Sequence, residues 1–438
     1  MIIHPAPLAV FLVAFSLRIT AIVLWPDAFQ FDAYQRWAGR DHLFIQVWLP
    51  ATQAIVWLSA KCGLDAYGLR FVFAFLGSAT LAMGAELAQQ LAPKPEQRPH
   101  AGWFCLPLAG FGPYLVWSTS PYQESTMLFF FFGALLLWNT KPKIGDWIMG
   151  ALALVRFEGW PIIIVYMALR KSWWAVTAAW GMLLIGAIEI FELVQPYAAS
   201  PDSFSDWNEL NKNLKRKWKL LNRLRVIAEA SGVLWLLASV ALLFKLRPLK
   251  RAHWMILLMV LGQIAATIGW LLSLGVAFSR QMILIGIPCG LLTAAVLSVL
   301  WVNLKPLWRI GVLLFVSGWT VWTLADAQYD YNIYARSIKA ERPLIELLRR
   351  CPDETWSVVP RPHPGPRNRH DGCEVIQGLT PLRAGQEFNC ETWGWGGPPA
   401  TVQAVWIPGQ RYYQIKAQSS FKNSCVLPRN TDQNSSSQ

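Results

Sequence analysis

The sequence predicts an all-α polytopic membrane protein with about eleven transmembrane helices and a small extracytoplasmic C-terminal domain of α/β or mostly β structure. Of the 438 residues, 54% are hydrophobic and only 15% are charged, a balance that excludes an ordinary soluble globular protein. Several windows reach the roughly 20 apolar residues that one membrane crossing requires, among them 7–25, 71–91, 254–276 and 281–302. The net charge of +13 is spread between apolar runs, which indicates basic membrane loops and no nucleic-acid partner.

Apolar runs along the chain define the individual spans. No small-residue cleavage site follows the first run, so we interpret it as a retained helix and not as a signal peptide. Some of the runs are shorter than a full crossing. The spans are predicted at 6–25, 66–91, 101–118, 122–139, 145–156, 158–169, 173–194, 231–246, 253–276, 281–303 and 308–325.

Lysine and arginine in the short loops predict the orientation in a bacterial inner membrane or an equivalent membrane. The loops assigned to the cytoplasmic face are the basic ones: "APKPEQRPH", "NTKPK", "RK" at 170–171, "KLRPLKR" and "LKPLWR". The opposite face then receives the first outer loop at 26–65, the turns "STSPYQES" and "RFEG", the outer loop at 195–230 and the C-terminus. The predicted domains are therefore a transmembrane domain at 1–325, an extracytoplasmic domain at 326–430 and a disordered tail at 431–438.

The outer loop at 195–230 contains the most basic segment of the chain. Apolar residues recur there at helical spacing and predict an amphipathic helix at the membrane surface. The cations considered as ligands are Lys215, Arg216, Lys217 and Lys219. They either lie on anionic lipid headgroups or bind a lipid-linked phosphate, and the sequence leaves both interpretations open.

The C-terminal domain is Pro- and Gly-rich, with short strand-like runs such as "TWSVVP" and "TVQAVWIP". Its cysteines are spaced too widely for paired zinc ligands. An extracytoplasmic location and an even number favour two disulfides, with three possible pairings. The cysteines concerned are Cys351, Cys373, Cys390 and Cys425.

The first outer loop places polar side chains directly against the first span. Asp32 is followed by Tyr34, and Asp41 and His42 come nine and ten positions after the aspartate. Aromatic residues around Asp32 are typical either of a sugar-binding or lipid-facing wall or of an interfacial belt. A lone histidine predicts no metal site.

Three further ionisable residues interrupt apolar runs on the same predicted face. Such residues are costly within a membrane and are functional candidates by default. Glu124 lies in "STSPYQES", where its alternative role is to favour the start of the following helix. Arg156 and Glu158 lie in "LVRFEGWP", where their alternative role is a structural ion pair. Arg18, within the first span, is interpreted as structural.

In layout and in three short motifs, residues 1–325 resemble the GT-C class of integral-membrane glycosyltransferases. The outer loop with an early Asp and the following "WLP" are similar to the start of that class. The segments "GPYLVWSTSPYQESTMLFFFFGALLL" and "ALVRFEGWPIII" resemble parts of the mannosyltransferases of the glycosylphosphatidylinositol pathway and of protein-mannosyltransferase-like enzymes. Many relatives have paired acids in the first loop, whereas here Asp32 is followed by Ala33.

The resemblance implies transfer of mannose or another hexose from a polyprenyl-phosphate donor to a lipid, glycan or protein acceptor, with inversion. Asp32 is then expected to be the general base, and Arg156, Arg280 and the basic helix are expected to bind the donor phosphate. Tyr34, Asp41, His42 and the two glutamates, Glu124 and Glu158, are expected to bind substrate. No cofactor is expected, and the sequence indicates no metal, although a divalent ion is compatible with this class.

The alternative function is that of a transporter or flippase for a lipid-linked or small polar substrate. That class predicts charges near mid-span and pseudo-symmetric halves. The charges of this chain instead cluster at one rim, and its sequence has no internal repeat. A non-catalytic scaffold needs far fewer spans than the sequence predicts.

Overall fold

The computed structural model describes residues 5–26, 28, 33, 36–37, 39–41, 43, 49–156, 158–170, 250–273, 279–350, 356–360 and 413–417. The predicted spans at 173–194 and 231–246, and the basic outer loop between them, lie outside the described residues. The predicted number of spans therefore stays a prediction.

Eleven α-helices and two β-strands are described. The helices of the first half are α1 (Pro5–Leu24), α2 (Pro50–Lys61), α3 (Ala66–Leu91), α4 (Arg98–Trp103), α5 (Gly112–Trp117) and α6 (Gln123–Thr140). The helices that follow are α7 (Pro142–Ala151), α8 (Gly159–Arg170), α9 (Arg251–Ser273), α10 (Ser279–Asn303) and α11 (Pro306–Arg350). The strands are β1 (Trp356–Pro360) and β2 (Tyr413–Ala417).

Five of the described helices are long and apolar enough to cross a membrane: α1, α3, α9, α10 and the first part of α11. Of these, α10 is the most deeply buried, and α11 is the most exposed. Exposed leucine, phenylalanine and tryptophan side chains along α11 fit a helix that faces lipid. Each of these five helices coincides with a span predicted from hydropathy.

The predicted span at 101–118 is wrong as a continuous helix. Its residues form α4, a 3₁₀ turn at Leu106–Gly110 and α5. Pro107 and Pro113 lack the amide hydrogen that a continuing helix needs, so each one starts a new helical segment. The segment between α5 and α6, residues 118–122, is also non-helical and is completely or almost completely buried.

The predicted span at 308–325 is the first part of α11, which continues as a helix to Arg350. The first part of α11 packs against the broken region, where Phe111 stacks on Trp319 with ring centroids 5.4 Å apart. The Thr323 hydroxyl donates to the Gly110 carbonyl at 3.0 Å. A Cβ on Gly112 would overlap the Thr323 carbonyl oxygen, so this contact requires glycine.

Helices α7 and α8 form a hairpin that presents Arg156 and Glu158 in its turn. Across the hairpin, the Tyr166 hydroxyl donates to Asp146 Oδ1 at 2.9 Å, and Arg170 Nε donates to the same oxygen at 3.1 Å. Trp138 of α6 packs edge-on to the Tyr166 ring at 4.6 Å. These polar and aromatic contacts fix both helices of the hairpin against α6.

The chain divides into two compact units, residues 1–24 with 40–330 and residues 25–39 with 331–438. In the second unit, Trp25 stacks on Tyr331 at 5.1 Å and donates its indole N–H to Asn332 Oδ1 at 2.9 Å. Strands β1 and β2 pair antiparallel, from Trp356 opposite Ala417 to Pro360 opposite Tyr413. The four cysteines of the predicted disulfides lie outside the described residues.

We expect Gly112→Ala to destabilise the protein by about 1–3 kcal/mol, the usual cost of overpacking. The matched control is Gly133→Ala, because the nearest side-chain atom to a Cβ there is 3.7 Å away. The control should be neutral or slightly stabilising, since alanine favours helix. Thermal unfolding in detergent measures both variants, and equal melting temperatures would contradict the described contact between α5 and α11.

Candidate functional site

A buried ion-pair network joins the start of α6 to the turn before α8. Arg156 Nη1 donates to Glu124 Oε1 at 2.5 Å. The same guanidinium donates through Nη2 and Nε to the two oxygens of Glu158, at 2.6 and 3.1 Å. The exposed fractions of the side chains are 8% for Arg156, 1% for Glu124 and 18% for Glu158. Arg156 is therefore surrounded by two carboxylates.

The surroundings shift the pKa values of the Arg156–Glu158 pair in opposite directions. Burial lowers the pKa of Arg156, but the adjacent Glu124 and Glu158 carboxylates outweigh it and raise the pKa above its ordinary value. Burial raises the pKa of Glu158, but the Arg156 guanidinium outweighs it and holds that pKa below its ordinary value. Both shifts favour the ionised pair at neutral pH.

A second guanidinium approaches Glu124 from the start of α10. Arg280 Nε lies 3.8 Å from Glu124 Oε1, the oxygen that also accepts from Arg156. The Arg280 guanidinium carbon lies 5.4 Å from the centroid of the Tyr122 ring, which gives a cation–π contact. Tyr122 in turn packs edge-on to Trp117 at 4.9 Å. The Glu124 carboxylate is thus shared between two arginines.

The buried segment 118–122 receives two further arginines. Arg18 of α1 donates from Nε to the Ser118 hydroxyl at 2.8 Å, and its guanidinium carbon lies 5.1 Å from the Tyr114 ring centroid. Arg70 of α3 donates from Nε to the Thr119 carbonyl at 3.3 Å. Non-helical backbone at membrane depth needs protein partners of this kind for its polar groups.

In the described part of the chain, four arginines from four different elements therefore contact residues 114–124. We call this set the arginine cluster: Arg18, Arg70, Arg156 and Arg280. All four side chains are buried or partly buried. A guanidinium stays charged and presents planar, paired donors that match phosphate oxygens. Such a cluster is suited to binding a phosphate or another oxyanion.

The structure brings together four of the residues predicted from sequence: Glu124, Arg156, Glu158 and Arg280. Asp41 lies in an exposed turn. The other predicted site residues lie outside the described residues: Asp32, Tyr34, His42, Lys215, Arg216, Lys217 and Lys219. Their roles stay predictions.

Sequence reasoning missed Arg70 and Tyr122, and it gave Arg18 only a structural role. Arg70 carried a usable signal, since an ionisable residue in an apolar span is a functional candidate. Tyr122 belongs to the motif "STSPYQES", but its contact with Arg280, which is distant in sequence, could not be predicted. Among the residues that the structure describes, no group of three His, Cys, Asp or Glu residues could hold a metal ion.

The Arg156–Glu158 pair should make part of the stability depend on pH. Because the folded-state pKa of Glu158 is lowered, the pair stabilises the fold above the carboxyl's ordinary pKa of about 4.3, and this contribution is lost as pH falls through the lowered value. We expect the melting temperature of the wild type to fall more steeply below pH of about 4 than that of Glu158→Gln. Glu96→Gln, at an exposed site, should follow the wild type; parallel curves for all three proteins would contradict this assignment.

Comparison with known proteins shows the fold. No family model matches the chain, and no curated protein matches it significantly. Among solved structures, the chain is similar to ArnT from Cupriavidus metallidurans, determined with undecaprenyl phosphate bound, with a TM-score of 0.56 and 13% sequence identity. The similarity covers 96% of this chain and 98% of ArnT. The chain is therefore an integral membrane protein with a GT-C-like fold.

Proposed function

We propose that this protein is a membrane glycosyltransferase that uses a polyprenyl-phosphate-linked sugar, mannose or another hexose, as donor. The arginine cluster carries the proposal, because it offers buried cations to an anion within a GT-C-like fold. The similarity to ArnT, whose structure contains undecaprenyl phosphate, supports a lipid phosphate as that anion. The acceptor is a lipid, a glycan or a protein.

In this proposal the phosphate lies against Arg280, with Arg156 beside it. Arg280 has the longer contact to Glu124, at 3.8 Å, and is the most exposed of the four residues of the network, with 23% of its side chain exposed. Arg156 donates three hydrogen bonds to carboxylates, so it is proposed to attract the phosphate through its charge and not through direct hydrogen bonds. The basic residues Lys215, Arg216, Lys217 and Lys219 are proposed to add phosphate contacts from the amphipathic helix.

The proposed reaction is a single displacement at the anomeric carbon of the sugar. The acceptor hydroxyl oxygen attacks that carbon, and the bond from the carbon to the phosphate oxygen breaks with inversion. The bonding electron pair leaves with the phosphate, and the hydroxyl proton passes to a carboxylate base. Positive charge near the phosphate stabilises the negative charge that develops on the leaving group.

Asp32 is proposed as the base, from its position in the first outer loop. A general base must come within about 3 Å of the acceptor hydroxyl, and a loop beside the first span is at the depth of a lipid-borne sugar. Tyr34, Asp41, His42, Glu124 and Glu158 are proposed to contribute to substrate binding, with no metal required. The first outer loop is predicted on the face opposite the basic short loops, so the reaction is proposed to take place on the extracytoplasmic face.

Asp32→Asn should lower turnover by about 100-fold or more, the usual scale for loss of a general base. The measurement is transfer of radiolabelled sugar from polyprenyl-phosphate mannose, and from other hexose donors, into the lipid, glycan or protein fraction of membranes that contain the protein. Glu96→Gln, an exposed change, should behave as the wild type. Near-normal transfer by Asp32→Asn would place the base elsewhere, and no transfer by the wild type from any of these donors would contradict the proposed function.

Arg280→Ala should weaken donor binding about tenfold or more, because a charge-assisted phosphate contact is lost. Arg309→Ala is the matched control, since the Arg309 guanidinium carbon also lies 5.4 Å from an aromatic ring centroid, that of Trp301. The described contacts of Arg309 are with Trp301 and the Val302 carbonyl and do not include Glu124. Titration of the purified variants with the donor lipid measures the dissociation constants. Equal donor affinity in the two variants would remove Arg280 from the phosphate site.

A further inference from the structure

Glu124 contacts both Arg280, which is proposed to bind the phosphate, and Arg156, which is proposed to attract it through its charge. Its Oε1 atom accepts from Arg156 at 2.5 Å and lies 3.8 Å from Arg280 Nε. Only 1% of the side chain is exposed, so its charge is little screened by water. A buried carboxylate in a phosphate site weakens the attraction of any anion that binds there.

Donor and product differ in charge, so a carboxylate in the site weakens the binding of the two lipids to different extents. The sugar donor is a phosphodiester with one negative charge. The product, a polyprenyl phosphate, is a monoester that carries up to two negative charges above a second pKa of about 6. A purely cationic site would therefore hold the product more tightly than the donor and would release it slowly.

We propose that Glu124 is a positioning residue that sets the charge of the site so that the monoester product does not outcompete the phosphodiester donor. The two arginines and two carboxylates of the network balance in formal charge, and Glu124 is the carboxylate that both arginines approach. This inference rests on the proposed function, because it assumes that a lipid phosphate binds at Arg280. Glu124 makes no bond in the reaction and acts through Arg156 and Arg280.

Glu158 offers the matched comparison. It carries the same charge and pairs with the same arginine, but 18% of its side chain is exposed, against 1% for Glu124. The described ion pairs of Glu158 involve Arg156, whereas those of Glu124 include Arg280. Removing the charge of Glu158 should therefore change phosphate binding less than removing the charge of Glu124.

The experiment compares the affinities of the purified, detergent-solubilised full chain for undecaprenyl phosphate and for an undecaprenyl-phosphate hexose. The selectivity is the donor dissociation constant divided by the product dissociation constant, measured at pH 8 and at pH 5. At pH 8 we expect Glu124→Gln to raise this selectivity for product about tenfold, and Glu158→Gln to raise it much less. At pH 5 the monoester loses its second charge, so the difference between Glu124→Gln and wild type should largely disappear.

Three outcomes would overturn the inference. An unchanged selectivity in Glu124→Gln at pH 8 would show that the carboxylate does not discriminate between the lipids. An equal change in Glu124→Gln and Glu158→Gln would show a general charge effect, and an increase that persists at pH 5 would show a cause other than the second phosphate charge. If Glu124 has a purely structural role, Glu124→Gln should weaken the binding of both lipids by the same factor at both pH values.

Glu124→Gln leaves Arg156 with one carboxylate, and the loss of a buried partner lowers the stability of the fold. Arg280→Gln is therefore a second variant, and it changes the charge of the site in the opposite direction. It should lower the selectivity for product at pH 8, and an unchanged value would overturn the inference even where Glu124→Gln does not fold. If the wild type binds both lipids and the variants have the same selectivity as the wild type, the role of Glu124 is contradicted but the proposed function is not. Wild-type protein that binds neither lipid contradicts the proposed function as well.

Discussion

The pairing of Glu124 with Arg156 is the interaction on which the described site depends. It connects residues 32 positions apart, and it does so where both side chains are almost completely removed from solvent. Removing one partner of a buried ion pair typically costs about 3–5 kcal/mol, because the remaining charge stays buried without compensation. The pair therefore fixes the first turn of α6 and the turn before α8 relative to each other. The contacts of Asp146 with Tyr166 and Arg170 connect the two helices on either side of that second turn.

The buried segment 118–122 explains why the same region needs arginines from α1 and α3. Its residues are buried and leave the helical path, so some of their polar groups need partners that a regular helix would otherwise provide. Arg18 and Arg70 direct donors at Ser118 and at the Thr119 carbonyl, which stabilises this irregular backbone. The segment in turn sets the position of Tyr122, on which Arg280 lies. The arginines that support the backbone and those of the candidate phosphate site thus come from four elements but contact one continuous stretch of chain, residues 114–124.

Sequence could predict the long spans and the ionisable candidates because both follow from the cost of burial in a membrane. It named Glu124, Arg156, Glu158 and Arg280 and considered an ion pair between Arg156 and Glu158. It could not show that all four form one network, since the contacts of Glu124 with Arg156 and Arg280 depend on tertiary packing. The span predicted at 101–118 failed because hydropathy does not register the missing amide hydrogens of Pro107 and Pro113. Likewise, the polar composition beyond residue 325 concealed the continuation of α11, because helix formation does not require an apolar sequence.

Low identity to ArnT over nearly the whole chain is physically reasonable for a fold of this kind. Apolar side chains that face lipid or one another are interchangeable as long as length and hydropathy are kept, so most of the sequence can change while the fold is retained. The few buried charges are not interchangeable in this way, because each one needs a partner at the right distance. Function must therefore be argued from how those charges are paired. Here Arg18 and Arg70 hold segment 118–122 through the Ser118 hydroxyl and the Thr119 carbonyl. Arg156 and Arg280 share Glu124, and in the proposed site the net charge of these three groups is what an incoming phosphate meets.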